Sequence, residues 1–446
     1  MITASEAEDI AILGFGFGGL MVLANLVRLA EKPMRGAIIS PDLSGHGLAY
    51  STPHTHHLLN VPAANMGAWA HAIDDFAHWL ESDAAHAAQH VLPLPQLPAA
   101  TDFAPRALYA HYLTHLLQQT RQLAQQKSIA LRFVARAAES LKRQGDTWII
   151  TTTEGEIAAR QVVLATGNEV KPVFPQVVHP TIHQSPWHLP PLGQAGPIAI
   201  IGTGLTAVDT ILTLRSQGYA GDIIAISRNG LWPQPHRRDV KPYRFDAAAL
   251  HAQKNLAGLL RHLRAAISAH GDWRGVVDAL RLHSQALWQK LEPRDQQRAI
   301  RRLATLWSIH RHRMAPEIAV RTAADNQLRT IATRSMTLAE EGGELLLTVQ
   351  HRADGETEML RPAAIINCTG PELNWARSAQ PLLRGLLRDG YVTAHPTGLG
   401  AAATGHDRIG ENLFAIGSLM TGQFWESTAV PELRAQAAAI AEALCR

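Results

Sequence analysis

Two cysteines are all the chain has, Cys368 and Cys445 in 446 residues, and they stand far apart with no CxxC pair. A redox centre built on neighbouring thiols is therefore excluded. No uninterrupted apolar stretch reaches the roughly 18 residues that a membrane-spanning helix needs. The opening MITASEAED is acidic and polar where a secretion signal starts basic and continues apolar. Residence in the cytoplasm, without a membrane partner, is the expectation. Charge is sparse: 18% of residues are Asp, Glu, Lys or Arg, the formal net charge is +3, and no block of like charge occurs. A nucleic-acid partner is not indicated. The 23 histidines include no HExxH and no spacing with carboxylates that suits a metal, so none is expected. What the chain does have is length and apolar content. At 46% apolar it reads as globular, and 446 residues exceed one compact core, so two domains are expected.

Two Gly-rich turns follow one plan. In DIAILGFGFGGLMVLANLVRL a short apolar strand runs into GFGFGG and then into an apolar helix. Gly14 permits the tight turn, Gly16 lets the backbone approach a pyrophosphate, and Gly19 lets the helix pack closely on the strand, with Phe17 and Gly18 between them. The helix N-terminus then offers unpaired amides and a positive dipole end to phosphate. A second strand, AIIS, ends near Asp42, which is placed to accept ribose hydroxyls although it lies slightly beyond the strand end. The stretch GPIAIIGTGLTAVDTILTLRS repeats the plan with Gly202, Gly204, Thr206 and Ala207. Its next strand ends in Ser227 and Arg228, where an NAD site would place an acid. A guanidinium suits a 2′-phosphate, which favours NADPH over NADH without closing the question, and a solvated strand-end arginine is the alternative.

Each turn is followed by an alternating meander that ends in a strand and a TG pair, Thr166–Gly167 and Thr369–Gly370. Both pairs are expected to close the chain back beside a dinucleotide. A Pro-rich stretch over 172–197 is the linker. The expected domains are 1–190 completed by 371–446, and 191–370 with a helical insertion at 247–330 as a lid or substrate region. Residues 44–70 form a long Gly-, Pro- and His-rich loop, a length that is usually functional.

This double plan, with IHQSPW before the second turn, resembles the flavoprotein monooxygenases that bind FAD first and NADPH second. His183, Ser185 and Trp187 match their linker motif, while its flanking Phe-Gly part is absent. Through GLAYST, HLLNVPAANM, FAPRALYAHYL, WSIHRHRMAPE and GQFWESTAVPELRAQ the chain is similar to a bacterial group of FAD-dependent urate hydroxylases and aspartate N-monooxygenases. The resemblance implies an α/β fold with two Rossmann-like dinucleotide-binding domains, FAD then NADPH or NADH, each with an antiparallel meander.

Asn60 and Met66 fall where the long loop could line the flavin ring, or form an Asn-Pro-type turn. Arg106 begins a helix and could reach an anion, whereas Tyr109 and Tyr112 read as core. In HRHR, Arg311 and Arg313 are either a solvated helix end or the fork for an anionic substrate. His236, Arg237 and Arg238 suit the NADPH phosphates. Gly417 and Ser418 precede a closing helix expected from Glu432, whose N-terminus could face the flavin, with Trp425 and Glu426 beside it. Trp425 reads equally well as buried structure.

No Ser-His-Asp set or carboxylate pair appears, as expected where a cofactor carries the chemistry. The resemblance implies transfer of one oxygen atom from molecular oxygen, through a flavin hydroperoxide, to a small anionic substrate. Urate is the first expectation, and N-hydroxylation of aspartate or a related amino acid is the alternative. A reductase of a partner protein or a flavin-based sensor stays open.

Overall fold

The computed structural model describes residues 7–193, 196–405 and 407–446. The chain divides into two compact units. The first comprises residues up to Glu169 with His283–Pro293 and Glu372–Arg446, and the second Val170–Leu282 with Arg294–Pro371. Among the described residues no helix is long and apolar enough to cross a membrane.

In the first unit, Glu8–Leu13 pairs in parallel with Arg35–Ile39 on one side and with Gly155–Leu164 on the other. Ala130–Val134 and Leu413–Ala415 extend the parallel sheet at either side. Where they pair in the sheet centre, Ile10–Leu13 and Val162–Leu164 are continuous buried apolar runs, as a parallel sheet covered on both faces requires. Gly155–Leu164 serves two ladders: its first half pairs antiparallel with Thr147–Thr152, which pairs with Ser140–Gln144, and its second half joins the parallel sheet. The alternating stretch before Thr166 does not form one meander: Ala130–Val134 is a strand of the parallel sheet, and only Ser140–Leu164 forms the antiparallel ladder. Helix Phe17–Leu29 packs on the sheet beside Arg106–Gln126 and the closing helix Val430–Leu444. That closing helix starts before Glu432, because Pro431 occupies the first turn, where its fixed φ and missing N–H suit a helix start.

The second unit repeats the design. Ile198–Ile201 lies between Ile223–Ser227 and Ala364–Asn367, all parallel. Leu328–Glu341 runs parallel to Ile223–Ser227 and then continues antiparallel to Glu344–His351, with a register shift between Thr333 and Ser335. The Pro-rich stretch divides differently from the expected boundary at 190. Ile182–His183 pairs with Ala364–Asn367, and the buried Asn367 donates to the carbonyls of Lys171 and Gln184, so the chain joins the second unit from Val170. The insertion also departs from expectation. Its helix Ser284–Lys290 belongs to the first unit, where Trp288 Nε1 donates to the Gly422 carbonyl at 2.7 Å and Gln285 Nε2 to the Glu426 carbonyl at 2.7 Å.

Candidate functional site

The first Gly turn has little choice of residue. Gly14 holds φ at +94°, and a Cβ there would fall 2.3 Å from the Ala165 carbonyl oxygen. At Gly19 the same addition would meet the Gly14 carbonyl oxygen at 2.3 Å. Helix Phe17–Leu29 is capped by Gly16 with no side-chain hydrogen bond, leaving its first amides to a ligand.

A cavity of about 720 Å³ opens over this turn. Gly14, Gly16, Phe17 and Gly18 line its floor, and Asp42, Thr166, Gly167, Gly417 and Ser418 line its walls. Nine of the expected residues therefore share one cavity. Asp42 is partly engaged, since its carboxylate accepts from the Ser44 amide and hydroxyl, each at 2.9 Å. Ser418 Oγ donates to the Gly167 carbonyl at 2.9 Å, and the Gly417 amide donates to Gln436 Oε1 at 3.1 Å. The Thr166 hydroxyl oxygen is buried with no hydrogen-bond partner. A backbone cradle at a helix N-terminus, an orphaned hydroxyl and a cavity of ligand size fit a dinucleotide.

His46 and Tyr50 line the same cavity. Burial lowers the His46 imidazole below its ordinary value, with Asp42 opposing and His111 adding to the shift. Desolvation pushes the Tyr50 hydroxyl up to about 12 against the pull of Arg106. Neither residue carries a sequence signal of its own. Tyr50 lies in GLAYST, which has no distinctive spacing, and the polar residues at the cavity wall come from a loop whose fold its composition does not fix.

Several expected residues lie elsewhere. Asn60 and Met66 are not part of the cavity lining. Met66 is buried in the core, and its carbonyl accepts from the Tyr109 hydroxyl at 2.9 Å. Tyr112 accepts from the Ala68 amide at 3.0 Å, and Arg434 Nη1 donates to the Gly67 carbonyl at 2.8 Å. HLLNVPAANM, FAPRALYAHYL and the closing helix thus converge to fix loop 65–68. Arg106 is half-buried behind the cavity wall, its Nε donating to the Leu58 carbonyl at 3.2 Å. Trp425 also lies outside the lining, stacked on Trp288 with ring centroids 4.7 Å apart and planes at 25°. It holds φ at +63° and ψ at −64°, and the Glu426 amide donates to the Phe424 carbonyl at 2.7 Å. This is a γ-turn of the rare, strained hand.

In the second unit Gly202 holds φ at +122°, and a Cβ there would fall 2.3 Å from the Cys368 carbonyl oxygen. Gly204 caps helix Leu205–Ser216 with no side-chain bond, Thr206 lies in its first turn, and Ala207 is fully buried. Asn367 Oδ1 accepts from both the amide and the hydroxyl of Thr369, which fixes the turn into Gly370. Arg228 is exposed at the end of Ile223–Ser227. Burial pushes the Cys368 thiol up to about 12, so this cysteine is inert packing.

Arg311 and Arg313 are not a solvated helix end. They are 6% and 3% exposed, and Arg313 is ion-paired with Asp278 and lies 5.9 Å from the Trp273 ring centroid. Arg274 stands 4.4 Å from the same ring and donates to the Pro235 carbonyl through Nε and Nη2 at 3.3 and 3.2 Å. The His236 amide donates to the Met314 carbonyl at 2.9 Å, and Arg237 is ion-paired with Asp239. Arg313 and Arg274 thus share the Trp273 ring, and Arg274 and the Met314 backbone hold loop 234–238. Among the described residues no group of three or more His, Cys, Asp or Glu could hold a metal ion.

Residues 11–169 match the FAD-NAD(P)-binding family. No curated protein matches the chain. Among solved structures, the reduced form of ornithine hydroxylase from Pseudomonas aeruginosa is similar at a TM-score of 0.62 and 14% identity, over 98% of this chain and 99% of that one. L-lysine 6-monooxygenase from Pseudomonas syringae is similar at 0.53 and 17%, over 98% and 99%. A bacillithiol disulfide reductase from Bacillus cereus is similar at 0.54 and 13%, over 98% and 99%. The fold is that of two-domain FAD- and NAD(P)-binding flavoproteins, and FAD and NAD(P)H are the cofactors that its matched region and paired Gly turns fit.

Proposed function

We propose that the chain is an NAD(P)H-dependent FAD monooxygenase that hydroxylates the amine nitrogen of a small amino acid, aspartate or a relative. The observation that carries this reading is the end-to-end likeness in fold to an ornithine hydroxylase and a lysine monooxygenase. The disulfide reductases of similar fold are a poor guide to chemistry here, because the only cysteines are the buried Cys368 and the distant Cys445. Urate, the first expectation from sequence, finds no support in these relationships and is kept as a control substrate.

FAD, when bound, supplies electron storage and oxygen activation, and the chain supplies position and shelter. The amides at the start of helix Phe17–Leu29 hold the pyrophosphate, and Asp42 serves the ribose. Thr166 donates or accepts one hydrogen bond to the bound nucleotide. The first amides of helix Leu205–Ser216 hold the nicotinamide nucleotide's phosphates. An amine must be uncharged to take oxygen, and the weakly basic His46 at the cavity wall can hold a proton only fleetingly near neutral pH.

The test uses purified holoenzyme with L-aspartate, L-ornithine, L-lysine and urate as separate additions. NAD(P)H consumption, hydroxylamine product and incorporation of one atom of labelled oxygen are followed together. An amino acid that stimulates all three supports the reading. Stimulation by urate alone, or by none, refutes it.

A further inference from the structure

One wall of the cavity in the first unit is a closed loop. Gly417 and Ser418 line the cavity at one end of segment 417–428, and Thr428 lines it at the other. The two ends are tied at a neck: Thr421 Oγ1 donates to the Ser418 carbonyl at 2.9 Å and shares a hydrogen bond of 3.2 Å with Ser427 Oγ, both residues being buried. Beyond the neck the tip turns through Gly422 and the strained Trp425, neither of which lines the cavity. Gly422 has no room for a side chain, since a Cβ there would fall 2.1 Å from the Leu399 carbonyl oxygen and 2.6 Å from the His395 ring.

A strained turn persists only where its surroundings hold it. Here the hold comes from Ser284–Lys290, the helix that the 247–330 insertion lends to the first unit. Gln285 and Trp288 stand three residues apart and so share a helix face. They grip the tip on both sides of Trp425: Trp288 Nε1 donates to the Gly422 carbonyl, Gln285 Nε2 donates to the Glu426 carbonyl, and the Trp288 ring covers that of Trp425. Trp288 is 4% exposed, so its bond to Gly422 is shielded from water. Neither Gln285 nor Trp288 lines the cavity. What they fix is the tip and, through the neck at Thr421 and Ser427, the places of Ser418 and Thr428 in the cavity wall.

We infer that the helix Ser284–Lys290 is a clasp for the flavin cavity, in which Trp288 and Gln285 are positioning residues that set the wall segment 417–428 against the cofactor. The inference rests on the FAD reading of the cavity and not on the choice of substrate. A compact loop tied at its neck moves as one piece, so a loosened tip shifts Ser418 and Thr428 together. A shift at Ser418 also breaks its bond to the Gly167 carbonyl, which joins this wall to the first TG turn.

The experiment follows FAD dissociation from the holoenzyme on dilution, the absorbance and fluorescence of the bound flavin, and urea unfolding of the apoprotein. Trp288→Phe keeps an aromatic ring over Trp425 and removes the N–H, and Gln285→Ala removes the second bond. Each is expected to weaken FAD by about threefold to tenfold, the worth of about one hydrogen bond, and to change the emission of the flavin that stays bound. Trp148→Phe is the control, because Trp148 is 2% exposed in the same unit, donates from Nε1 to the Glu411 carbonyl at 3.2 Å, and does not line the cavity. It is expected to lower the urea midpoint and to leave FAD affinity and emission as in the wild type. Wild-type FAD affinity and emission in Trp288→Phe or in Gln285→Ala, whatever the urea midpoint, overturns the clasp while leaving the flavin reading intact. So does a loss of FAD affinity in Trp148→Phe as large as that in Trp288→Phe. A wild-type chain that binds no FAD overturns both.

Discussion

Gly14 stands against the carbonyl of Ala165 so closely that a Cβ would fall 2.3 Å from its oxygen, and Gly202 stands in the same relation to Cys368. In each unit the first glycine of the turn and the residue before the TG pair are locked backbone to backbone. Both glycines also hold positive φ, so alanine meets strain as well as a clash. Gly14→Ala is expected to yield protein with little bound flavin, read as the ratio of visible to ultraviolet absorbance. Gly202→Ala is expected to keep its flavin and to lose NADPH-dependent reduction. If both variants lose the same function, the two turns do not serve separate nucleotides.

That lock explains why so much of the design was legible. A close backbone approach needs glycine at a fixed place, and the return strand must end beside it, so GFGFGG, GTGLTA and the two TG pairs carry the signal in residue type and order. Burial of Arg311 and Arg313 left no such mark. For Arg313 it involves Asp278 and Trp273, which lie on another helix and read as ordinary surface residues in the chain. The docking of Ser284–Lys290 in the first unit was equally hidden, because Trp288 and Gln285 bind backbone carbonyls that any sequence provides. Arg352 reaches Arg228 across 124 positions, a separation at which no periodicity speaks.

Thr166 offers a test of the cavity that does not need turnover. Its hydroxyl is buried and unpaired, and valine has nearly the same shape without the polar atom. Removing a buried group that lacks a partner is neutral or stabilising, whereas removing one that bonds a ligand weakens binding. Thr166→Val is therefore expected to leave the apoprotein as stable or slightly more so, and to weaken FAD by roughly fivefold to tenfold, about 1 kcal/mol. Thr166→Ser should bind FAD as the wild type does. Unchanged FAD affinity in the valine variant would show that the hydroxyl does not touch the cofactor.

Trp425 should reverse a common order of substitutions. Glycine is normally worse than alanine where the backbone is ordered, but here φ is +63° and only glycine relaxes the turn. Both variants lose the stack on Trp288, so the difference between them isolates the strain. Trp425→Gly is expected to unfold at higher urea than Trp425→Ala, by a margin of about 1–2 kcal/mol. The opposite order, or no difference, would show that the turn relaxes without the tryptophan.

His46 gives the first unit a dependence on pH. Burial lowers its pKa from 6.5 in the folded chain, Asp42 opposes the shift, and His111, itself lowered by burial, adds to it. Because the folded value is depressed, the unfolded chain binds the proton first as pH falls. Stability is complete above 6.5 and declines as pH drops from there toward the folded value. Replacement by glutamine keeps a side chain able to bond Thr114, which His46 Nε2 contacts at 2.8 Å, while removing the titration. His46→Gln should therefore lose less Tm than the wild type between about pH 8 and about pH 5. Parallel curves for the two proteins would place the acid sensitivity on other groups, His54 and His111 first among them.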